Sequence, residues 1–218
     1  MTARILYSFR RCPYAMRARL AVQSAGFVCE LREVLLRDKA LEFLEASPSG
    51  TVPCLVLPDQ TIDESLDIML HVLGQNDPDY WLDMPDTWHD LIAMTDGPFK
   101  LALDRYKYAT RHDSDPMAER EKASGFLRDL DRMLGDQPFL YGQSPRLADM
   151  AIAPFVRQFA NTDRSWFGAQ PWPHLIGWLD RFVTSAAFGA IMGKYPKWAA
   201  GDAPTFFPAT MDTTRPSP

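Results

Sequence analysis

The chain has 218 residues, 46% hydrophobic and 23% charged, which supplies a sizeable core and excludes wholesale disorder. A formal net charge of −5 lacks the basic excess of a duplex-binding protein, and no apolar run approaches the roughly 18 residues that span a bilayer. Three cysteines, an odd number, argue against a disulfide-stapled secreted fold; with no signal-peptide pattern ahead of the first strand, the expectation is a cytoplasmic globular protein without nucleic-acid or membrane partners.

The first third alternates strand and helix signals. Ile5 to Phe9 is a short apolar run that reads as a buried strand. Pro13 suits a first helical position, and the helix carried by Ala15, Met16, Ala18, Leu20, Ala21 and Val22 stops at Gly26. Val28 to Leu36 reads as a second strand, and Leu41, Phe43 and Leu44 as a short helix terminated by Pro48 and Gly50. Val52 to Leu57 and Thr61-Ile62 are two further strands, and Ser65 to Leu73 a helix ended by Gly74. The order is β-α-β-α-β-β-α. Residues 75–86, with two prolines and clustered Asp, read as a linker. The stretch 87–200 is helical. It starts with a long helix from Trp88 to Tyr106 that Gly97-Pro98 should kink or split. Three more helices follow, around Ala123–Leu134, Met150–Phe159 and Leu175–Val183. After Trp198 the chain turns Pro/Thr-rich, and residues 201–218 are expected to fray. The predicted organisation is a small α/β domain over 1–74 and an all-helical domain over 87–200.

Cys12 is the sharpest chemical signal. It lies between a strand and a helix and just before Pro13, the N-cap place, where first-turn N–H groups lack backbone acceptors and the helix dipole is positive. Arg4, Arg10, Arg11, Arg17 and Arg19 all precede the first acidic residue, Glu30. A thiol so placed is expected to ionise easily and act as a nucleophile. The bland alternative, an inert buried cysteine, suits Cys29 and Cys54, which sit in apolar strands with no helix start after them. The motif is Cys12-Pro13-Tyr14-Ala15, so no second cysteine stands where a dithiol motif needs one. Cys12 must then work with an external thiol, Cys54 staying open as an internal resolving group. Pro53 is an awkward residue at a strand, which a cis bond would accommodate, although trans is the commoner state. Glu64-Ser65 opens a helix, either as a plain cap or as an anion site. Lys39 alone is a surface lysine.

Taken together, residues 4–74 resemble the thioredoxin-like N-terminal domain of cytosolic glutathione transferases. The resemblance is carried by Ile5–Phe9, Cys12 through Leu20, Gly50-Thr51-Val52-Pro53-Cys54-Leu55 and Asp63-Glu64-Ser65. Gly142, Leu147-Ala148-Asp149 and Pro154 are similar to the buried helix motif of the family's helical C-terminal domain. The resemblance implies an α/β plus all-α protein: a thioredoxin-like domain followed by an all-helical domain. It further implies glutathione as co-substrate, no metal, and a homodimer. Cys12 resembles the catalytic cysteine of the omega-like and glutaredoxin-like branches, which form mixed disulfides with glutathione. Val52 would pair with the cysteinyl part of glutathione, with Pro53 cis. Glu64 and Ser65 would hold its γ-glutamyl end, and Lys39 its glycine carboxylate. Asp149 would serve folding, although Arg146 stands where the family usually has the Ser or Thr of a capping box. An acceptor pocket between the domains would include Phe9 and Tyr14, whereas Trp88, Phe99 and Tyr106 suit a core. The implied activity is thiol transfer or reduction on a small disulfide or electrophilic substrate. Conjugation of glutathione to apolar electrophiles and a non-catalytic binding role are the alternatives.

Overall fold

In the computed structural model, which describes residues 4–209, the first unit starts with strand β1 (Ile5–Ser8), helix α1 (Pro13–Ser24), strand β2 (Cys29–Glu33) and helix α2 (Leu41–Ala46). Strands β3 (Cys54–Val56) and β4 (Thr61–Ile62) and helix α3 (Ser65–Leu73) complete the expected order. β1 runs parallel to β2 and antiparallel to β3, which pairs antiparallel with β4. Leu6 and Leu31 on one side and Tyr7, Cys54 and Val34 on the other are buried, as a sheet covered on both faces requires. Gly26, at φ +61°, takes the left-handed turn that ends α1, a conformation open to glycine at no steric cost.

The second unit contains α4 (Trp88–Met94), a π-helical turn (Thr95–Phe99), α5 (Lys100–Lys107), α6 (Ala109–His112), α7 (Pro116–Met133), α8 (Leu147–Ala160), α9 (Arg164–Gly168) and α10 (Pro173–Thr184). The kink expected at Gly97-Pro98 takes the form of the π turn: Pro98 offers no N–H to the ladder, and the widened turn absorbs the missing bond. Phe99 packs 5.1 Å from Phe126 and is buried, as is Trp88, so both are core residues; Tyr106, 5.4 Å from Phe159 (ring centroids), is half-buried at the core's margin.

Buried Asp149 organises this unit. Its Oδ1 accepts from Leu140 N at 2.9 Å and Trp178 Nε1 at 2.8 Å, and its Oδ2 from Arg146 N at 3.0 Å. Half of the capping box therefore survives the arginine, whose guanidinium instead donates to Tyr80 O and pairs with Asp83 at 3.3 Å.

The chain divides differently from the sequence boundaries. One compact unit takes the chain up to Asp79 and again from Ala186 onward; the other is Tyr80–Ser185. Helix α11 (Ala186–Ile191) packs on α1, and Phe206–Phe207 forms a fifth strand, β5, antiparallel to β2. The sheet order is thus β4-β3-β1-β2-β5. Thr205 O accepts from Leu31 N at 2.7 Å and Glu33 O from Trp198 N at 2.9 Å, so the edge of β2 is covered where fraying was expected from residue 201. Residues 210–218 of that tail lie outside the described residues.

Candidate active site

Cys12 is the N-cap of α1, with Pro13 the first helical residue. Its backbone N–H donates to Phe9 O at 3.0 Å and its carbonyl accepts from Met16 N at 2.9 Å, closing the first turn. The sulfur does not cap the helix. Sγ donates instead to Val52 O at 3.7 Å, because a protonated thiol needs an acceptor and the first-turn amides offer only donors. The strand-to-helix turn is itself held from β2: Glu33 Oε1 accepts from Arg10 N at 2.6 Å, and the other oxygen lies 3.5 Å from the Arg19 guanidinium. Burial pushes the Glu33 carboxyl up, against the pull of the Arg10 N–H and of Arg19. Nothing local in the sequence marks Glu33, which lies 23 residues from Arg10.

Val52 is buried and its bond to Pro53 is cis. Cys12 and Phe9 pack against the apolar cluster of Tyr7, Val34, Phe43, Val52 and Cys54. Lys39 Nζ donates to Gly50 O at 2.8 Å, placing the cation beside the loop that leads to Val52. An ammonium has three protons, and Gly50 O takes one of them.

Glu64 is the N-cap of α3, exposed, and its carboxylate makes no capping hydrogen bond. Ser65, the first helical residue, is buried; its Oγ accepts from Arg17 Nε at 2.9 Å. An oxygen that accepts from Arg17 keeps its own proton for an acceptor at the helix mouth. In the sequence Arg17 counts only as one of five early cations; its engagement with Ser65, 48 residues away, comes from the packing of α1 on α3. Tyr14 and Phe9 are half-buried, with the Arg17 and Arg11 guanidinium groups 5.1 Å and 5.5 Å from their ring centroids.

The other two thiols differ from Cys12. Burial pushes Cys29 up to about 12, and burial with the adjacent Asp63 carboxylate pushes Cys54 to about 12. Cys54 is fully buried, with Sγ 4.0 Å from Ala46 O, a poor setting for a resolving thiol. Brief alkylation of the folded protein at pH 7 is expected to mark Cys12 alone, and denaturation to expose all three cysteines. Peptide mass mapping checks this; equal labelling of Cys54 in the folded state would contradict it. Among the described residues no group of His, Cys, Asp or Glu is placed to hold a metal ion, and no helix is long and apolar enough to cross a membrane.

Comparison with known proteins gives this geometry its context. Residues 6–79 match the family model for the glutathione S-transferase N-terminal domain, and residues 102–181 that for its C-terminal domain. Glutathione S-transferase U22 of Arabidopsis thaliana is 24% identical over 176 residues, which is 73% of this chain and 75% of the relative. A solved structure of a glutathione transferase family member from Pseudomonas fluorescens, with two glutathione bound, superimposes with a TM-score of 0.75 at 18% identity, covering 87% of this chain and 92% of that one. Glutathione transferase Omega 3C from Trametes versicolor does so with a TM-score of 0.72 at 18% identity, covering 84% and 82%. The thioredoxin-like sheet unit and the helical unit are those of the glutathione-using transferases, and the chain belongs to the glutathione S-transferase family.

Proposed function

We propose that this transferase is of the cysteine type and moves glutathionyl groups between thiols, with Cys12 as nucleophile. The observation that carries the reading is the placement of Cys12 at the mouth of α1 with its sulfur against the Val52 carbonyl. Glutathione is an anionic tripeptide. Its γ-glutamyl carboxylate suits the α3 mouth, where Glu64 makes no capping bond and Ser65 is braced by Arg17. Glu64 takes the glutamyl amine, Val52 pairs with the cysteinyl backbone, and Lys39 faces the glycine carboxylate. Pro53 ends the Val52 segment just ahead of β3, and Phe9 and Tyr14 border the acceptor side. The bound glutathione of the Pseudomonas relative agrees with a tripeptide ligand for this fold.

The chemistry is two displacements. Ionised Cys12 loses its interest in Val52 O and turns to the first-turn amides and the positive end of α1. The thiolate attacks the glutathionyl sulfur of a mixed disulfide; that S–S bond breaks, the substrate thiolate leaves and takes up a proton, and a Cys12–glutathione disulfide forms. The thiolate of a second glutathione attacks the glutathionyl sulfur, releasing the Cys12 thiolate and oxidised glutathione. Assaying a glutathionylated peptide beside an aromatic electrophile tests this: rapid deglutathionylation with feeble conjugation is the expected pattern, and the reverse pattern sinks it. Lys39→Ala should raise the KM for glutathione about tenfold through loss of one charge-assisted contact, with kcat little changed. By the habit of the family we also propose a cytoplasmic homodimer; light scattering checks the dimer and cell fractionation the location.

A further inference from the structure

Asp63 receives no role in the scheme above, yet its carboxylate sits among the supports of the glutathione contacts. Oδ1 accepts from Ser47 Oγ at 2.8 Å and Oδ2 from Ser49 N at 2.7 Å. Ser47 ends α2, and Ser49 begins the bend to Gly50, whose φ of +61° turns the chain toward Val52. Ser49 Oγ also accepts from Thr51 N at 3.1 Å, so the carboxylate's hold extends to the residue next to Val52. Gly50 O is the acceptor for Lys39. On the other side, Asp63 directly precedes Glu64 and Ser65. The β3–β4 register, Leu55 opposite Ile62 and Val56 opposite Thr61, sets Cys54 opposite Asp63 at the open end of the hairpin. One anion, just ahead of α3, thus holds the loop that leads from α2 toward the hairpin.

We propose that Asp63 is the positioning residue that fixes the spacing between the cysteinyl-binding strand edge at Val52 and the glutamyl-binding helix mouth at Glu64-Ser65. This rests on the glutathione reading of the site. A tripeptide held at both places binds well only if their separation is set beforehand; a loop free to drift makes the ligand bear the ordering cost. The carboxylate suits this task because two oxygens, in charge-assisted hydrogen bonds, constrain two points of the loop at once. An amide would keep one accepting oxygen and could meet Ser47 Oγ through its N–H, so removal of the whole carboxyl group is the clean test.

The test uses the full chain, reduced glutathione as the probe, and a glutathionylated peptide as substrate. Asp63→Ala, which removes both bonds, is expected to raise both the calorimetric Kd and the KM for glutathione about tenfold while kcat stays within about twofold. Ser47→Ala, which removes the Oγ contacts to Asp63 and to Thr51 O and leaves the charge, is expected to act in the same direction at about threefold, and gives a readout if the first variant folds poorly. Hydrogen exchange at residues 47–51 should quicken in both. Unchanged glutathione affinity and KM in the variants, beside a wild type that binds, would overturn the role of Asp63 and leave the glutathione reading standing. A wild type that takes up no glutathione would overturn that reading, and the positioning role with it.

Discussion

Replacing Cys12 with Ala is expected to lower turnover of a glutathionylated peptide by at least about a thousandfold, the scale on which enzymes lose rate when a nucleophile is removed. The fold should survive, since the Sγ contact to Val52 O at 3.7 Å is a weak bond and Cys12 is only half-buried. Glutathione affinity should survive too, because its recognition is assigned to Val52, Lys39, Glu64 and Ser65. Cys12→Ser separates the two family chemistries. A hydroxyl cannot enter disulfide exchange, so thiol transfer stays lost, whereas conjugation, which needs only a hydrogen-bond donor to the glutathione sulfur, persists or rises. Incubation with oxidised glutathione, followed by intact-mass measurement, should give one adduct on the wild type and none on either variant. A Cys12→Ala protein with full thiol-transfer activity would end the proposed mechanism.

The second large effect is on stability. Asp149→Ala leaves Leu140 N, Arg146 N and the Trp178 indole N–H without their shared acceptor. Stranding buried donors costs about 1–3 kcal/mol each, so a total loss of about 3 kcal/mol or more is expected for the unit Tyr80–Ser185. Trp178→Phe removes one donor with its partner still satisfied by the others, and leaves a cavity where the buried indole was, for a cost of about 1–3 kcal/mol. Denaturant midpoints followed by circular dichroism measure both. A loss below 1 kcal/mol for Asp149→Ala would show that water replaces the carboxylate and that the cap is dispensable.

What the sequence disclosed and what it withheld follow one physical distinction. Cys12, Pro13 and Gly26 declare a helix start and stop because caps are set by residues adjacent in the chain. The hairpin of β3 and β4 is local in the same sense. Contacts between distant segments leave no such trace. Arg17 with Ser65, Glu33 with Arg10, and Cys29 Sγ with Phe207 O, 178 residues apart, were all invisible. Phe206–Phe207 shows why: two aromatics in a Pro/Thr-rich stretch carry no alternation, and their strand conformation is imposed by the partner they find. The same holds for the sulfur of Cys12. Its position was written in the chain, but its turn toward Val52 depends on a carbonyl 40 residues on. The identities assigned to Lys39, Glu64 and Ser65 came from the resemblance; spacing alone left each with a plainer explanation.

The fifth strand has a bearing on biosynthesis. During translation the first seven elements and then the helical unit emerge from the ribosome while β2 still lacks its outer neighbour. Through that interval Cys29 has no Phe207 carbonyl, and the Arg19 guanidinium has neither the Phe207 nor the Tyr195 ring beside it. The nascent sheet therefore waits, open along one side, until the whole helical unit has been made.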